Sequence, residues 1–317
     1  MSDIAVIILS IFGLIGVGYG VAKTGLLRDS VGGALAEFVF TLAIPVLLFR
    51  TLMNADFHGV APWSLWITYF SGVAATWSLS HWLIRRLFGR DARSGVVAGI
   101  SASFSNTVLI GIPLVQTVGG DRGMVALLII LSIHLPVMML ASIVANEWAM
   151  RADGIVSGEL KPRELLARFA STLAKNPIVI GILAGVLWRL TGLGLGPVLS
   201  RIVDSLAQTA GPMALFVAGM GLARYGIARN IPQALMITTL KLMAMPAVVL
   251  AAGLLLSLPA PYLAAAVITA ACPTGVNAYL LAVRFGTGQA ISSNAMTLST
   301  GIGAISTGLW LALLHAL

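Results

Sequence analysis

Ser105-Asn106-Thr107-Val108-Leu109-Ile110-Gly111-Ile112-Pro113 stands inside one apolar run, and Cys272-Pro273-Thr274-Gly275-Val276-Asn277-Ala278-Tyr279 stands inside another. Proline removes a backbone donor and collides with the carbonyl one turn earlier, and glycine weakens the helix beside it. Each stretch therefore breaks a helix in the middle of an apolar segment. Hydrocarbon tolerates open backbone groups only where the chain is buried in protein or lines a cavity. Two such interruptions at corresponding places in two halves of a chain mark a binding site at a repeat interface.

Around these stretches the 317 residues are 58% hydrophobic and only 9% charged, with a mean hydropathy of +0.98. Soluble domains carry about 25% charged residues. The composition defines an all-α polytopic membrane protein and excludes soluble α/β folds. A sequence pI near 10.3 suggests nucleic acid, but the basic residues sit in short loops between apolar runs, which is a topology signal and no DNA-binding face. The single Cys272 excludes an intramolecular disulfide. Met1-Ser2-Asp3 lacks a basic leader and no small-residue cleavage site follows, so the first segment reads as a retained span.

A crossing helix needs about 20 mainly apolar residues. Such segments fall at Ile4–Ala22, Val31–Met53, Trp63–Phe88, Gly95–Gly119 and Gly123–Met150, then Pro177–Leu190, Pro197–Ala223, Ile231–Ser257, Tyr262–Phe285 and Ala290–Leu314, ten in all. One side of this arrangement receives Lys23, Arg28, Arg85, Arg86, Arg90, Arg93, Arg151, Lys161, Arg163, Arg168, Lys175, Arg224, Arg229 and Arg284. The other receives Arg50, Arg122, Arg189 and Arg201, a split of 14 to 4 with Lys241 inside a span. The positive-inside rule then puts both termini outside and the 151–175 connection in the cytoplasm. Within that connection Glu159 to Phe169 reads as an amphipathic helix on the membrane surface.

Cutting at the connection gives a first repeat of five spans (1–150) and a second (176–317). An odd span number inserts the second repeat upside down, an inverted arrangement. Gly16-Val17-Gly18-Tyr19-Gly20 in the first span and Gly181 with Gly185 in the sixth carry GxxxG spacing for close helix approach. Pro45 and Pro212 interrupt the second and seventh spans, and the two broken stretches fall in the fourth and ninth.

Breaking a helix in mid-membrane frees N–H groups at one half-helix start, suited to a carboxylate, and carbonyls at the other half-helix end. Gly111, Pro113 and Pro273 make the breaks, with Gly275 beside the last. Asn106 and Asn277 add amides, and Ser105, Thr107 and Thr274 add hydroxyls. Crossing as an X, the two stretches would bring these groups together near the bilayer midplane. Few charges enter the spans, where each is costly. Lys241 has two readings, attraction of an anion or neutralisation of a helix C-terminus. Glu37 could carry a coupling proton or snorkel to the interface, and His134 could relay protons or be a packed core histidine. No span carries paired aspartates and no hydrolase motif such as GxSxG or HExxH occurs, so no catalytic set, metal or cofactor is expected.

At Asn106 to Pro113 and at Pro273 to Tyr279 the chain resembles the auxin efflux carrier family, whose bacterial members include malonate and malate permeases. The span count, the glycine-rich first span and a lysine shortly before Pro246 fit as well, so the resemblance covers nearly the whole chain. Two departures are Val108 where many members have glycine, and a short central connection. The resemblance implies a homodimer in which spans 1, 2, 6 and 7 form a scaffold. Spans 3–5 and 8–10 would form a transport domain that binds an organic anion at Asn106 and Asn277 and moves it elevator-fashion. The expected function is secondary active transport of a small carboxylate such as malonate across a bacterial inner membrane, with protons a candidate coupling ion. The alternatives are an exporter of a larger amphipathic acid and an uncoupled channel or sensor.

Overall fold

The computed structural model describes residues 3–54, 61–155, 170–171, 174–224 and 230–317, and these are helical apart from turns and one isolated β-bridge. The amphipathic segment expected at Glu159–Phe169 lies outside the described residues. The helices are α1 (Asp3–Lys23), α2 (Asp29–Phe38), α3 (Ile44–Met53), α4 (Pro62–Phe88), α5 (Ala92–Ser103), α6 (Ile112–Ala152) and α7 (Pro177–Leu190). There follow α8 (Pro197–Arg224), α9 (Ile231–Thr239), α10 (Met245–Leu255), α11 (Ala260–Ala271), α12 (Val276–Phe285) and α13 (Gln289–Ala316). Among the described residues six stretches are long and apolar enough to cross a membrane: Ile4–Lys23, Ser30–Met53, Thr107–Ala152, Pro197–Ala223, Ile231–Leu255 and Gln289–Ala316. The chain is thus a polytopic helical membrane protein.

Three wide, π-helical turns interrupt the regular helices, at Val39–Ala43, Thr107–Gly111 and Leu240–Ala244. Each is followed, one residue later, by a proline: Pro45, Pro113 and Pro246. A helical proline offers no N–H to the carbonyl four residues back and collides with it, and a widened turn lifts that carbonyl aside. At the third turn the carbonyl concerned is that of Leu242, and the Trp310 indole N–H donates to it at 2.8 Å. The sequence reading separated Gly95–Gly119 from Gly123–Met150. The structure divides the helical stretch from Ile112 to Ala152 between those two segments, by non-helical geometry at Gly120 (φ 52°, ψ −149°), which glycine alone adopts cheaply.

Small residues set the helix crossings. Gly181 meets Pro45 and Gly185 meets Phe49 and Leu52, so α7 lies along α3 in the same direction. In the same way α1 lies against α8, where a Cβ on Gly18 would run into the Phe216 carbonyl and one on Gly219 into that of Ile15. The expectation for the first span is corrected here: Gly16 and Gly20 meet nothing within 4 Å, and Gly18 carries the contact. Gly219 of α8 supplies the second small residue, so no four-residue spacing is needed within α1. The main apolar core joins α3, α4, α5, α6, α10 and α11 through residues such as Leu48, Leu65, Ile100, Leu128, Val249 and Val267.

Candidate functional site at the two helix breaks

Helix α5 stops at Ser103 and α11 stops at Ala271, and the extended residues that follow meet each other. Ser105 and Thr274 form an antiparallel bridge. The Asn106 N–H donates to the Pro273 carbonyl and the Gly275 N–H to the Phe104 carbonyl, both at 2.8 Å. Backbone groups opened in one break are therefore answered by the other, as a water-free surrounding demands. A Cβ on Gly275 would stand 3.1 Å from the Ser105 carbonyl and 3.3 Å from Asn106 Cα, so this approach needs glycine. Pro113 packs toward Gly211 of α8 and Pro273 against Gly303 of α13.

The ends of the half-helices are served unequally. Ser101 belongs to the last turn of α5, and its carbonyl accepts from the Thr274 hydroxyl at 2.8 Å; the Thr274 N–H donates to Ser299 Oγ at 3.0 Å. Ala270 belongs to the last turn of α11, and its carbonyl accepts from Lys241 Nζ at 2.5 Å. Lys241 is fully buried and lines neither of the two cavities described below. Lys241 Nζ thus sits at a helix C-terminus, where a cation is favoured by the helix dipole.

At the starts of the second halves, Asn106 is its own cap: its Oδ1 accepts from the Leu109 N–H at 3.2 Å. Helix α12 is preceded by Gly275, which has no side chain to cap with, and Asn277 is the second residue inside the helix. Thr107, Val108, Val276 and Asn277 all line one cavity of about 120 Å³, with Ser105, Asn106 and His134. Two half-helix N-termini thus open into the same space, an arrangement that favours negative charge.

A second cavity, about 160 Å³, lies across Phe40, Asn106 and Val276 and is mostly apolar, with Gly32, Met220 and Thr300 in its walls. Phe40, Asn106 and Val276 line both spaces. The first cavity also touches Asn176, the residue that caps α7. Because α7 runs with α3 and Gly32 of α2 touches Met220 of α8, both cavities lie toward the end that carries Lys23 and Arg28.

His134 is buried in a box of rings, with centroids 5.0 Å from Phe104, 5.4 Å from Tyr69 and 6.4 Å from Phe70. Neither of its nitrogens has a hydrogen-bond partner, although it borders the polar cavity. Buried polar atoms are rarely left so. Glu37 lies on an exposed face of α2 and lines neither cavity. A Cβ on Gly111 would meet Cys272 Sγ at ordinary contact distance, and the Ser105 hydroxyl reaches Met245 Sδ at 4.0 Å. Sequence reasoning missed Phe40, Val276 and Asn176. An Asn-Pro pair at a helix start marked Asn176 as a cap, whereas nothing local marked Phe40.

An apolar helical bundle whose polar groups gather at two interlocked breaks is a construction that membrane transport proteins use. Residues 3–311 match the family described as membrane transport protein. The chain belongs to this family, the auxin efflux carriers. It is 26% identical over 317 residues to a protein of Rhizobium meliloti (strain 1021) named "Putative malonate transporter", covering 98% of this chain and 95% of the relative. It is also 23% identical over 305 residues to an "Uncharacterized transporter" of Methanothermobacter thermautotrophicus, covering 96% of each.

Proposed function

We propose that the protein is a secondary transporter of small carboxylates, with a malonate-like dicarboxylate as the leading substrate, and that the cavity between the two breaks is where the anion binds. The observation that carries this reading is the convergence of two half-helix N-termini and the Asn106 and Asn277 amides on one small space. One carboxylate sits against the Thr107 and Val108 end and the other against Val276 and Asn277. His134, with both nitrogens unengaged, faces the bound acid and is the group through which a proton would enter the cycle. The name of the Rhizobium relative supports the choice of substrate.

The architecture proposed is two inverted five-span repeats. The stretch from Thr107 to Ala152, 46 residues, would be about 69 Å long as one straight helix at 1.5 Å per residue, twice a bilayer core of about 30 Å, and Gly120 breaks it. It therefore holds the second half of span four and all of span five, folded at Gly120. The paired contacts of α1 with α8 and of α7 with α3 support a scaffold of spans 1, 2, 6 and 7. Spans 3–5 and 8–10 then move as the transport domain, in a dimer with both termini outside. On that orientation both cavities open toward the cytoplasm, an inward-facing state.

The test is uptake of radiolabelled malonate into proteoliposomes. Asn106→Ala and Asn277→Ala should each lower uptake at least tenfold while the dimer elutes unchanged, and full uptake by both variants would sink the assignment of the site. Accumulation should collapse with the pH gradient, and His134→Gln should lose the pH dependence. Flux that never saturates and never runs uphill would make the protein a channel.

A further inference from the structure

A site unconnected with the two breaks lies at the basic end of α4. His81, Trp82, Arg85, Arg86, Gly89 and Arg90 surround an open recess of about 390 Å³. The Asp153 carboxylate accepts from the Ala92 and Arg93 N–H groups of α5, so the ends of α4, α5 and α6 meet there. Arg90 is tied to the Asn230 side chain, but no described carboxylate pairs with Arg85 or Arg86. Both are exposed. Asp153 acts on His81 and Asp91 on Arg90, and among the described residues the guanidinium groups of Arg85 and Arg86 have no carboxylate partner.

The recess continues into a groove of about 670 Å³, and His81 and Arg85 line both. Trp77 of α4, Val96 of α5 and Ala141, Val144, Ala145 and Trp148 of α6 form its apolar walls. Gly95 and Gly99 of α5 make it deep, because a Cβ on either would strike His81 or Trp77. Trp82 and Trp148 are 57% and 66% exposed and stand where tryptophan anchors helices at the water–lipid boundary. A polar head with several cations above an apolar trough has the shape and polarity of a phospholipid.

We propose that this is a binding site for an anionic phospholipid, its phosphate held by Arg85 and Arg86 and one acyl chain laid along the groove between α4 and α6. Charge complementarity selects the head: cationic pockets between membrane helices hold anionic lipid headgroups, and each arginine contributes about fivefold in affinity. The groove selects a lipid over a free phosphate, since an inorganic anion leaves the apolar walls empty. The inference is independent of what the protein transports.

The experiment is native mass spectrometry and thermal melting of the purified full-length protein with phosphatidylglycerol, phosphatidylcholine or inorganic phosphate. Phosphatidylglycerol should stay bound and raise the melting midpoint, while phosphatidylcholine and phosphate should do neither. Arg85→Gln with Arg86→Gln, both at exposed positions, should weaken phosphatidylglycerol binding about 25-fold without moving the lipid-free midpoint. Ala145→Trp, which fills the groove and keeps the charges, should abolish retention. Equal retention of the two lipids, or unaltered binding by the arginine variant, would overturn the proposal. Stabilisation by phosphate alone, or full retention by the Ala145 variant, would overturn the lipid in favour of a simple anion.

Discussion

At the first break the exposed carbonyls of α5 meet the neutral hydroxyl of Thr274, whereas at the second those of α11 meet the ammonium of Lys241. The starts of the following half-helices differ too. Asn106 caps its own helix, while Asn277 sits one position inside α12 behind an uncapped glycine. The two breaks are alike in backbone path and unlike in chemistry. What the fold requires of both is only that buried backbone groups be answered. Which side chain answers is free to diverge, and Asn277 at the second break lines the cavity from inside α12, where the proposed function gives it to the ligand.

Substitutions can break this comparison at its strongest point first. Gly275→Ala should force the bridge apart, because the added carbon meets backbone at 3.1 Å; uptake should vanish and the protein lose about 1–3 kcal/mol. Gly111→Ala is the contrast, since its carbon meets Cys272 Sγ at an ordinary 3.5 Å, and its melting curve should match wild type. Thr274→Val leaves a buried carbonyl unanswered and should cost about 1–3 kcal/mol in denaturant unfolding, while Thr274→Ser restores most of it. A stable Thr274→Val would mean that Ser101 finds another donor.

The asparagines should separate cleanly. Asn106→Ala removes a cap worth about 1 kcal/mol and also, on the proposed function, a ligand contact, so both the resting midpoint and the malonate-induced shift should fall. Asn277→Ala should lose the shift alone. Equal resting midpoints in the two variants would erase the distinction drawn here.

The smallest effect concerns Asp91, whose carboxylate accepts from the Ser94 N–H at the start of α5, outside the spans. Burial pushes its carboxyl up, but the Ser94 hydrogen bonds and the nearby Arg93 and Arg90 outweigh it and hold the group below the ordinary carboxylate value. A depressed folded value means stabilisation that is complete above the unfolded value and lost as pH falls through the folded one. Asp91→Ala should therefore cost about 1 kcal/mol near neutrality and nothing in strong acid, as melting across pH would register.

Prolines and glycines made the breaks legible in the sequence, because what they do to a helix is local. Ser105 and Thr274 pair with each other across the two breaks. Partners fixed by tertiary approach were not legible. Lys241 stood between two readings until the end of α11 came within reach of it, and nothing in α1 alone distinguishes Gly18 from Gly16 and Gly20. Helix α4 shows the same limit from another side. Its 27 residues were read as a span, yet it is absent from the stretches apolar enough to cross alone. Its buried Thr68, Thr76 and Ser80 face neighbouring helices and not lipid.

The three wide turns have one further consequence. Each stores one residue more per turn than an α-helix needs, and each carries a residue described above: Phe40 in the wall between the cavities, Thr107 at the half-helix start, Lys241 on the end of α11. Passing that surplus residue along the helix rotates the side chains of one turn by about 100°, the angle between neighbours at 3.6 residues per turn. The helix ends stay where they are. The bundle thus holds slack at three points, two of them beside its cavities, and a wall, a mouth and a charge can turn there while the membrane-crossing lengths on either side stay fixed.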